Sequence, residues 1–223
     1  MGKRIQSDET MAFAKEQMRY VTEKNEPEYK TLKRSVLDAF AERDIEAFDG
    51  NYNGAERCHY LRDIEVVTCK RGKVFFAVKG GSNAENHNHN DVGNIIYYFD
   101  DEPILIDIGA PVYDARSFSD RRYEIFSNQS DYHNVPKIDG TSQHAGQDTH
   151  TAYFNVDGEH VTLDASACYG KKFSRTVEFD GRLHITDEFD GCDVSEHFIT
   201  AQKPEIDGSS VIIGGVRLIC KNG

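Results

Sequence analysis

The stretch Thr176-Val-Glu-Phe-Asp-Gly-Arg-Leu-His-Ile-Thr186 decides the fold, because polar and apolar residues alternate on both sides of Asp180-Gly181. Alternation with a period of two is typical of a strand with one buried face, and Asp-Gly between two such runs is typical of a β-hairpin. Similar paired runs lie upstream, at residues 64–68 with 74–78 and at 94–99 with 104–108. Many short strands with close turns and no helices between them predict a mainly β protein, either an antiparallel sandwich or a barrel.

The amino-terminal part has a different period. Apolar residues recur there with helical spacing in two stripes, first Met11, Ala14, Met18 and Val21, then Tyr29, Leu32, Val36 and Phe40. Ser7 or Asp8 suits the cap of the first helix. The turn-rich stretch 49–54 then interrupts the pattern. We therefore predict a short α-helical segment over 1–54 and the β domain over 55–223.

The composition excludes several classes of protein. The chain has 223 residues, of which 38% are hydrophobic and 29% are charged, and this is typical of a globular protein. No run of apolar residues approaches the length of about 20 that is needed to span a bilayer, so we do not expect this chain to be a transmembrane protein. A formal net charge of −12 argues against a general nucleic-acid binder, because such proteins neutralise phosphates with Lys and Arg. No signal peptide is visible, so we expect either a cytoplasmic protein or a piece of a longer chain.

The five cysteines are an odd number, widely spaced and without a Cys-x-x-Cys pair. A zinc ribbon or a dense disulfide scaffold is therefore not expected. We predict that the cysteines are free and mostly buried thiols.

Chemically reactive side chains concentrate in Glu85-Asn-His-Asn-His-Asn-Asp91. On a helix His87 and His89 would point about 200° apart, whereas on a strand they would share one face with Asp91. Two imidazoles beside a carboxylate form either a metal site or an acid–base pair. The same spacing also occurs in polar loops and edge strands without a function, and spacing alone leaves these alternatives open.

Two further residues qualify as metal ligands. Asp107 interrupts the apolar run 104–108, which we expect to be a buried strand, and a buried carboxylate is costly unless it is paired or bound to a metal. A two- or four-residue hairpin loop would turn Asp107 away from the face of His89, unless a bulge intervenes, whereas an odd loop would place both on one face. The alternative is that Asp107 caps the turn at Gly109. His133 lies in a polar loop, and two His with one Asp would hold zinc with one position left for water.

Several stretches, in this order, resemble the heparinase II/III-like polysaccharide lyases: Asn86-His-Asn-His-Asn-Asp91, Pro103-Ile-Leu-Ile-Asp-Ile-Gly109, Tyr113, His133-Asn134 and Ile138-Asp-Gly140. The likeness covers Arg62 to Gly191. It implies a helical (α/α) toroid joined to a large antiparallel, supersandwich-like β-sandwich, with the active site between them. It also implies cleavage of uronic-acid-containing polysaccharides by β-elimination.

The resemblance also implies roles for four residues. By position, His87 corresponds to the catalytic histidine. His89, Asp107 and His133 correspond to the ligands of one zinc ion. We expect this zinc to be structural, because an elimination needs no hydrolytic water.

Two residues near this site are candidates for substrate binding. Tyr113 follows Gly109-Ala-Pro111 and can line a cleft. Arg122 belongs, with Arg116 and Arg121, to the local basic cluster that an anionic sugar needs on a chain of net charge −12. Solvated loop arginines are the alternative for this cluster.

The toroid of such lyases precedes the sandwich, and residues 1–54 are too few to form it. The resemblance therefore implies that this chain is the C-terminal part of an enzyme or a shortened relative, with little or no lyase activity alone. It further implies an acidic polysaccharide as substrate, an upstream toroid domain as partner, and a periplasmic or secreted location.

Two other functions fit the same residues: a non-catalytic sandwich that binds carbohydrate or packs on a partner domain, and a cupin-like metal enzyme. Cupins also carry His-x-His and a later His, but usually with a Glu shortly after the pair, where this chain has Asp91. The sequence leaves open which glycan is the substrate, whether His87 acts as base or acid, which metal is bound, and the oligomeric state.

Overall fold

The computed structural model describes residues 7–21, 40–50 and 56–221. The chain divides into two compact units, residues 1–55 and 56–223. In the first unit, helix α1 (Asp8–Val21) begins after Ser7, whose Oγ accepts a hydrogen bond from the Thr10 N–H at 3.2 Å. Residues 40–46 are also helical, and most of the second predicted stripe, residues 29–36, lies outside the described residues. Within the described ranges, no helix is both long and apolar enough to cross a membrane.

The second unit begins with a five-stranded antiparallel sheet in which strands adjacent in sequence pair with one another. Its strands are β1 (Arg57–Leu61), β2 (Val66–Arg71), β3 (Val74–Lys79), β4 (Ile95–Phe99) and β5 (Glu102–Leu105). In β3 the side chains of Val74, Phe76 and Val78 are buried and the residues between them are partly exposed, as in a strand with one face in the core. The two-residue turn Gly72-Lys73 joins β2 to β3, and its φ of +51° at the first position suits glycine.

The other strands form one larger and two smaller sheets. In chain order they are β6 (Lys137–Ile138), β7 (Tyr153–Asp157), β8 (His160–Asp164), β9 (Phe173–Phe179), β10 (Leu183–Phe189), β11 (Val194–Ser195), β12 (Glu205–Asp207), β13 (Ser210–Ile213) and β14 (Val216–Ile219). The larger sheet has the order β10-β9-β8-β7, β6 pairs with β11, and β12 to β14 form a three-stranded sheet. The hairpin predicted at Asp180-Gly181 joins β9 to β10, since Leu183 pairs with Phe179.

One hydrophobic core draws on the inner faces of the two larger sheets. Phe76 of β3 packs near Phe179 of β9 with ring centroids 6.1 Å apart, and Tyr60 of β1 packs near Phe154 of β7 at 5.6 Å. Full burial of a large apolar side chain contributes about 1.5–3 kcal/mol. Fully buried members of this core are Val67, Phe76, Val78, Ile95, Val161, Leu163, Phe173 and Val177. The predicted fold class, a mainly β antiparallel sandwich preceded by an α-helical segment, is confirmed.

The prediction of free cysteines is wrong for one pair. Cys58 on β1 and Cys69 on β2 are register partners with Cα atoms 4.1 Å apart, and they form a disulfide. The two residues meet because of strand register, which sequence spacing does not display. Cys168 is a buried thiol as predicted, whereas Cys192 is exposed.

Candidate metal centre

The two histidines of the His-x-His pair lie in an irregular loop between β3 and β4, neither on a strand nor on a helix. His87 has a φ of +59°, a left-handed conformation that is uncommon for residues other than glycine. It is exposed, whereas His89 is half-buried. The Asn88 carbonyl between them accepts a hydrogen bond from Arg122 Nη2 at 2.5 Å, which holds the loop from a distant part of the chain.

The structure brings together the three residues predicted as zinc ligands. One ligand atom each from His89, Asp107 and His133 lies within 4.8 Å of the other two. Nδ1 of His133 is 3.3 Å from Oδ2 of Asp107, and the ring centroids of His89 and His133 are 5.1 Å apart. Residues far apart in sequence therefore meet as two imidazoles and one carboxylate, a donor set that suits zinc.

Asp107 reaches this position after a β-bulge. The β4–β5 hairpin has the two-residue loop Asp100-Asp101, which is an even loop, but its register shifts between Tyr97 and Tyr98. The parity rule applies only if His89 lies on a strand of this hairpin, and His89 lies in the irregular loop before it, so parity does not decide the side of Asp107. Asp107 nevertheless lies beside His89.

The expectation of a buried strand over residues 104–108 is wrong in part. β5 ends before Asp107, because the Ile106 N–H donates to the Ile199 carbonyl at 2.9 Å instead of continuing the pairing with β4. The Asp107 side chain is 36% exposed. Its Oδ1 accepts a hydrogen bond from the Gly109 N–H at 2.7 Å. Asp107 therefore caps this turn with one oxygen and faces the histidines with the other.

His133 is fully buried, and its two ring nitrogens have different surroundings. Nε2 lies 3.0 Å from the Ser127 carbonyl, and because a carbonyl can only accept a hydrogen bond, Nε2 carries the proton. In the neutral ring the lone pair is then on Nδ1. Among the described residues, Nδ1 has no well-aligned hydrogen-bond partner. A buried polar atom left in this way costs about 1–3 kcal/mol, and a cation bound at Nδ1 would remove that cost. The residues present therefore fit a metal ion.

The pKa shifts favour the metal-binding form at His89 and Asp107 and disfavour it at His133. Burial, and then the neighbouring His133, lower the pKa of His89. Burial alone would raise the pKa of Asp107, but the close approach of His133 and the hydrogen bond from Gly109 lower it to about 2. Burial lowers the pKa of His133, but the close approach of Asp107 and the charge of Asp91 outweigh it, so the pKa is raised. A neutral imidazole and an ionised carboxylate are the forms that bind metals, so a proton competes chiefly at His133.

His87 lies outside this ligand group and adjoins exposed aromatic residues. Its ring centroid is 6.5 Å from that of Tyr113 in an edge-to-face arrangement. Tyr113 stacks on Phe118 with centroids 5.6 Å apart and is 57% exposed. An accessible imidazole therefore stands beside an accessible aromatic face.

The three arginines of the predicted basic cluster differ in their surroundings. Arg116 is paired with Asp114 at 2.6 Å, and Arg121 is paired with Glu124 at 2.8 Å. Arg122 instead donates to the loop that carries the two histidines. In the part of the chain that the structure describes, no carboxylate lies within ion-pair distance of Arg122.

Sequence reasoning missed two buried asparagines beside the metal ligands. Asn94 Nδ2 donates to Asp107 Oδ2 at 2.9 Å, and Asn134 directly follows His133. Both side chains are buried. The available signal was an asparagine at the edge of an apolar run, because a polar side chain at such a place must find hydrogen-bond partners.

Comparison with known proteins indicates the family and the fold. The family model described as Heparinase II/III-like, C-terminal, matches residues 54–206. Among solved structures, a heparinase III gene product is 17% identical with a TM-score of 0.55, over 92% of this chain and 32% of that chain. A heparan sulfate lyase HepC mutant from Pedobacter heparinus is 14% identical with a TM-score of 0.55, over the same 92% and 32%. This chain thus spans 32% of the length of these structures, and at such identity the likeness shows the fold alone. Comparison with curated protein sequences finds no match.

Proposed function

This chain belongs to the heparinase II/III-like family, and from that we propose that it is the C-terminal sandwich part of a polysaccharide lyase. The proposed reaction is β-elimination within polysaccharides that contain uronic acids. The observation that carries the proposal is the convergence of His89, Asp107 and His133 beside the exposed His87, all within the matched residues 54–206. The names of the similar structures, heparinase III and heparan sulfate lyase, support the same class of substrate.

We assign the proton transfer to His87. In the elimination a base removes the proton at C5 of the uronate, the C4–O bond breaks, and the departing oxygen takes up a proton. Imidazole is the side chain suited to accept or donate such protons near neutral pH. The exposed position of His87 and its left-handed backbone support this role, because strained backbone is often retained at functional sites.

Tyr113 and Arg122 are proposed as substrate contacts. Tyr113 presents an exposed aromatic face next to His87, against which a sugar ring can pack. The uronate carboxylate must be neutralised before charge develops beside it in the transition state. Arg122 supports that role because its charge is not cancelled by a carboxylate among the described residues.

We propose that His89, Asp107 and His133 hold one zinc ion. When bound, zinc would supply a cross-link between loops rather than an activated water, because elimination consumes no water. The three residues come from the β3–β4 loop, the segment after β5 and the segment before β6. Fixing these segments keeps His87, which is two residues from His89, in its exposed position.

The proposed partner is an upstream α/α toroid domain, and the proposed location is periplasmic or secreted. The 32% coverage of the similar structures supports a missing domain. The Cys58–Cys69 disulfide supports an oxidising compartment, because such bonds are rare in the cytosol.

The test measures the unsaturated uronate that β-elimination forms, on heparan-type and alginate-type polysaccharides. We expect little or no activity from this chain alone and clear activity from the longest natural polypeptide that contains it. In that polypeptide, His87→Ala should lower kcat by about 100-fold or more. His184→Ala, at an exposed histidine of β10, is the matched control and should leave activity unchanged. An active His87→Ala variant would exclude the assigned role, and sugar binding without any cleavage would favour a non-catalytic module.

A further inference from the structure

Asn94 makes two hydrogen bonds that connect the segments carrying two of the metal ligands. It is buried at the end of the β3–β4 loop, immediately before β4. Its Nδ2 donates to Oδ2 of Asp107 at 2.9 Å, and its Oδ1 accepts from the backbone N–H of Asn134 at 3.0 Å. Because Asn134 follows His133, one amide group spans from a ligand carboxylate to the backbone next to a ligand imidazole.

The side chain of Asn134 holds the backbone next to Asn94 and the backbone next to Asp107. Its side chain is fully buried, and Nδ2 donates both to the Ile95 carbonyl at 2.7 Å and to the Ile106 carbonyl at 2.9 Å. Its Oδ1 accepts from the Ile199 N–H at 2.6 Å. Ile95 is the residue after Asn94, and Ile106 is the residue before Asp107. The Asn134 amide therefore sets the separation between the positions of Asn94 and Asp107.

Arg175 anchors the two asparagines to the core from behind. It is fully buried on β9, and Nη1 donates to the Asn134 carbonyl at 2.6 Å and to the Gly93 carbonyl at 2.8 Å. Hydrogen bonds from a charged donor are stronger than those between neutral groups. The backbone at Asn94 and Asn134 is thus held by the sandwich itself, independently of any ion.

The chemistry of the Asn94 amide suits the orientation of a ligand. Asp107 lies beyond the end of β5 with its side chain 36% exposed, so strand pairing does not fix the carboxylate. An amide N–H is a neutral donor: it orients Oδ2 without cancelling the negative charge that a cation would use. A lysine in its place would compete with the metal by its own positive charge.

We propose that Asn94 is a positioning residue of the metal centre, holding the Asp107 carboxylate toward His133 through a buried network with Asn134 and Arg175. This inference rests on the proposed metal site. Outer hydrogen-bond partners of metal ligands typically change metal affinity about 10- to 100-fold when they are removed.

The test is zinc affinity of the full chain, measured by competition with a chromogenic chelator. Asn94→Ala should weaken zinc binding about 10- to 100-fold. Asn83→Ala is the matched control, because Asn83 is also buried and supports the same loop but does not touch a metal ligand: its Nδ2 donates to Gln143 and to the His144 carbonyl, and its Oδ1 accepts from the Asp91 N–H. Asn83→Ala should change the affinity less than about threefold. If Asn94→Ala does not fold, Asn94→Ser keeps a polar atom in the site but ends one bond short of Asp107, and it should show the same loss.

A spectroscopic measurement separates positioning from general destabilisation. With cobalt(II) in place of zinc, the visible absorption bands report the ligand geometry. We expect them to change in the Asn94 variants and to stay unchanged in Asn83→Ala. A wild-type chain that binds no zinc would refute the proposed metal centre itself. A wild-type chain that binds zinc, with Asn94 variants of equal affinity and unchanged cobalt bands, would refute the positioning role alone.

Discussion

Zinc should stabilise the sandwich by an amount that follows from linkage. The three ligands lie on separate segments, so the unfolded chain does not present them together, and zinc binds the folded state preferentially. At a free zinc concentration 100 times the dissociation constant, the gain in the free energy of unfolding is about 2.7 kcal/mol. For a unit of the size of residues 56–223, 1 kcal/mol corresponds to about 2–4 °C in Tm, so we expect a rise of about 5–11 °C.

Scanning calorimetry in a chelator, and then at a series of buffered free zinc concentrations, measures this rise. Asp107→Ala should abolish it, because one ligand is lost, while the His184→Ala control should retain it. The rise should also grow with the logarithm of free zinc above the dissociation constant. A wild-type Tm that does not depend on zinc, or an Asp107→Ala variant with the full rise, would refute the proposed site.

Three further predictions concern the surroundings of the site. Burial, and then Asp187, raise the pKa of Glu196 to about 8 from the ordinary 4.5, so the stabilisation from its protonated form is lost as the pH rises through that interval. Glu196→Gln should therefore flatten the pH dependence of urea unfolding, because a side chain that does not titrate removes this loss between pH 5 and pH 8, and an unchanged profile contradicts this. Arg175→Met leaves the buried Asp187 carboxylate without its ion-pair partner and should lower the free energy of unfolding by about 3–5 kcal/mol. The double variant Arg175→Met with Asp187→Asn should recover part of this loss. Equal unfolding midpoints for the single and the double variant would contradict the prediction. Without reductant, Cys58→Ser should lower the free energy of unfolding by about 2–3 kcal/mol, because the disulfide to Cys69 is lost. With reductant the variant and the wild-type chain should differ little. Reaction of Cys58 with a thiol reagent in the native wild-type chain would show that the disulfide is absent.

The strands of the sandwich could be predicted because burial alternates locally, and the prediction fails where a contact between strands overrides the alternation. The alternation predicts a strand from Thr176, whereas β9 begins at Phe173. Arg175 occupies a core-facing position there and hides the apolar alternation. Its charge is matched by Asp187, its register partner on β10, with Nη2 and Oδ2 2.5 Å apart. A buried ion pair between strands is a tertiary property, so a pattern read along one strand does not contain it.

The residue types of the candidate site could be predicted from the sequence, but the geometry of the site could not. His89, Asp107 and His133 stand out as ligand types in unusual surroundings, and the structure brings them together. The loop that carries the first of them follows neither of the two regular periods, and its shape depends on hydrogen bonds such as that from Arg122 to the Asn88 carbonyl. Such contacts span tens of positions in sequence, so local spacing does not display them.

The bulge at the end of the β4–β5 hairpin shows where the strand pattern stops being a guide to the metal centre. Ile104 and Leu105 are consecutive, yet both are buried, at 0% and 2% exposure, whereas a regular strand turns consecutive side chains to opposite faces. The extra residue of a bulge lets both reach the core and moves each later residue to the other face. β5 ends before Asp107, and two hydrogen bonds orient its carboxylate instead of strand pairing, one from Asn94 Nδ2 to Oδ2 and one from the Gly109 N–H to Oδ1. A chain that keeps all three ligand residues but lacks these hydrogen bonds therefore keeps the sequence motif and loses the orientation of the carboxylate.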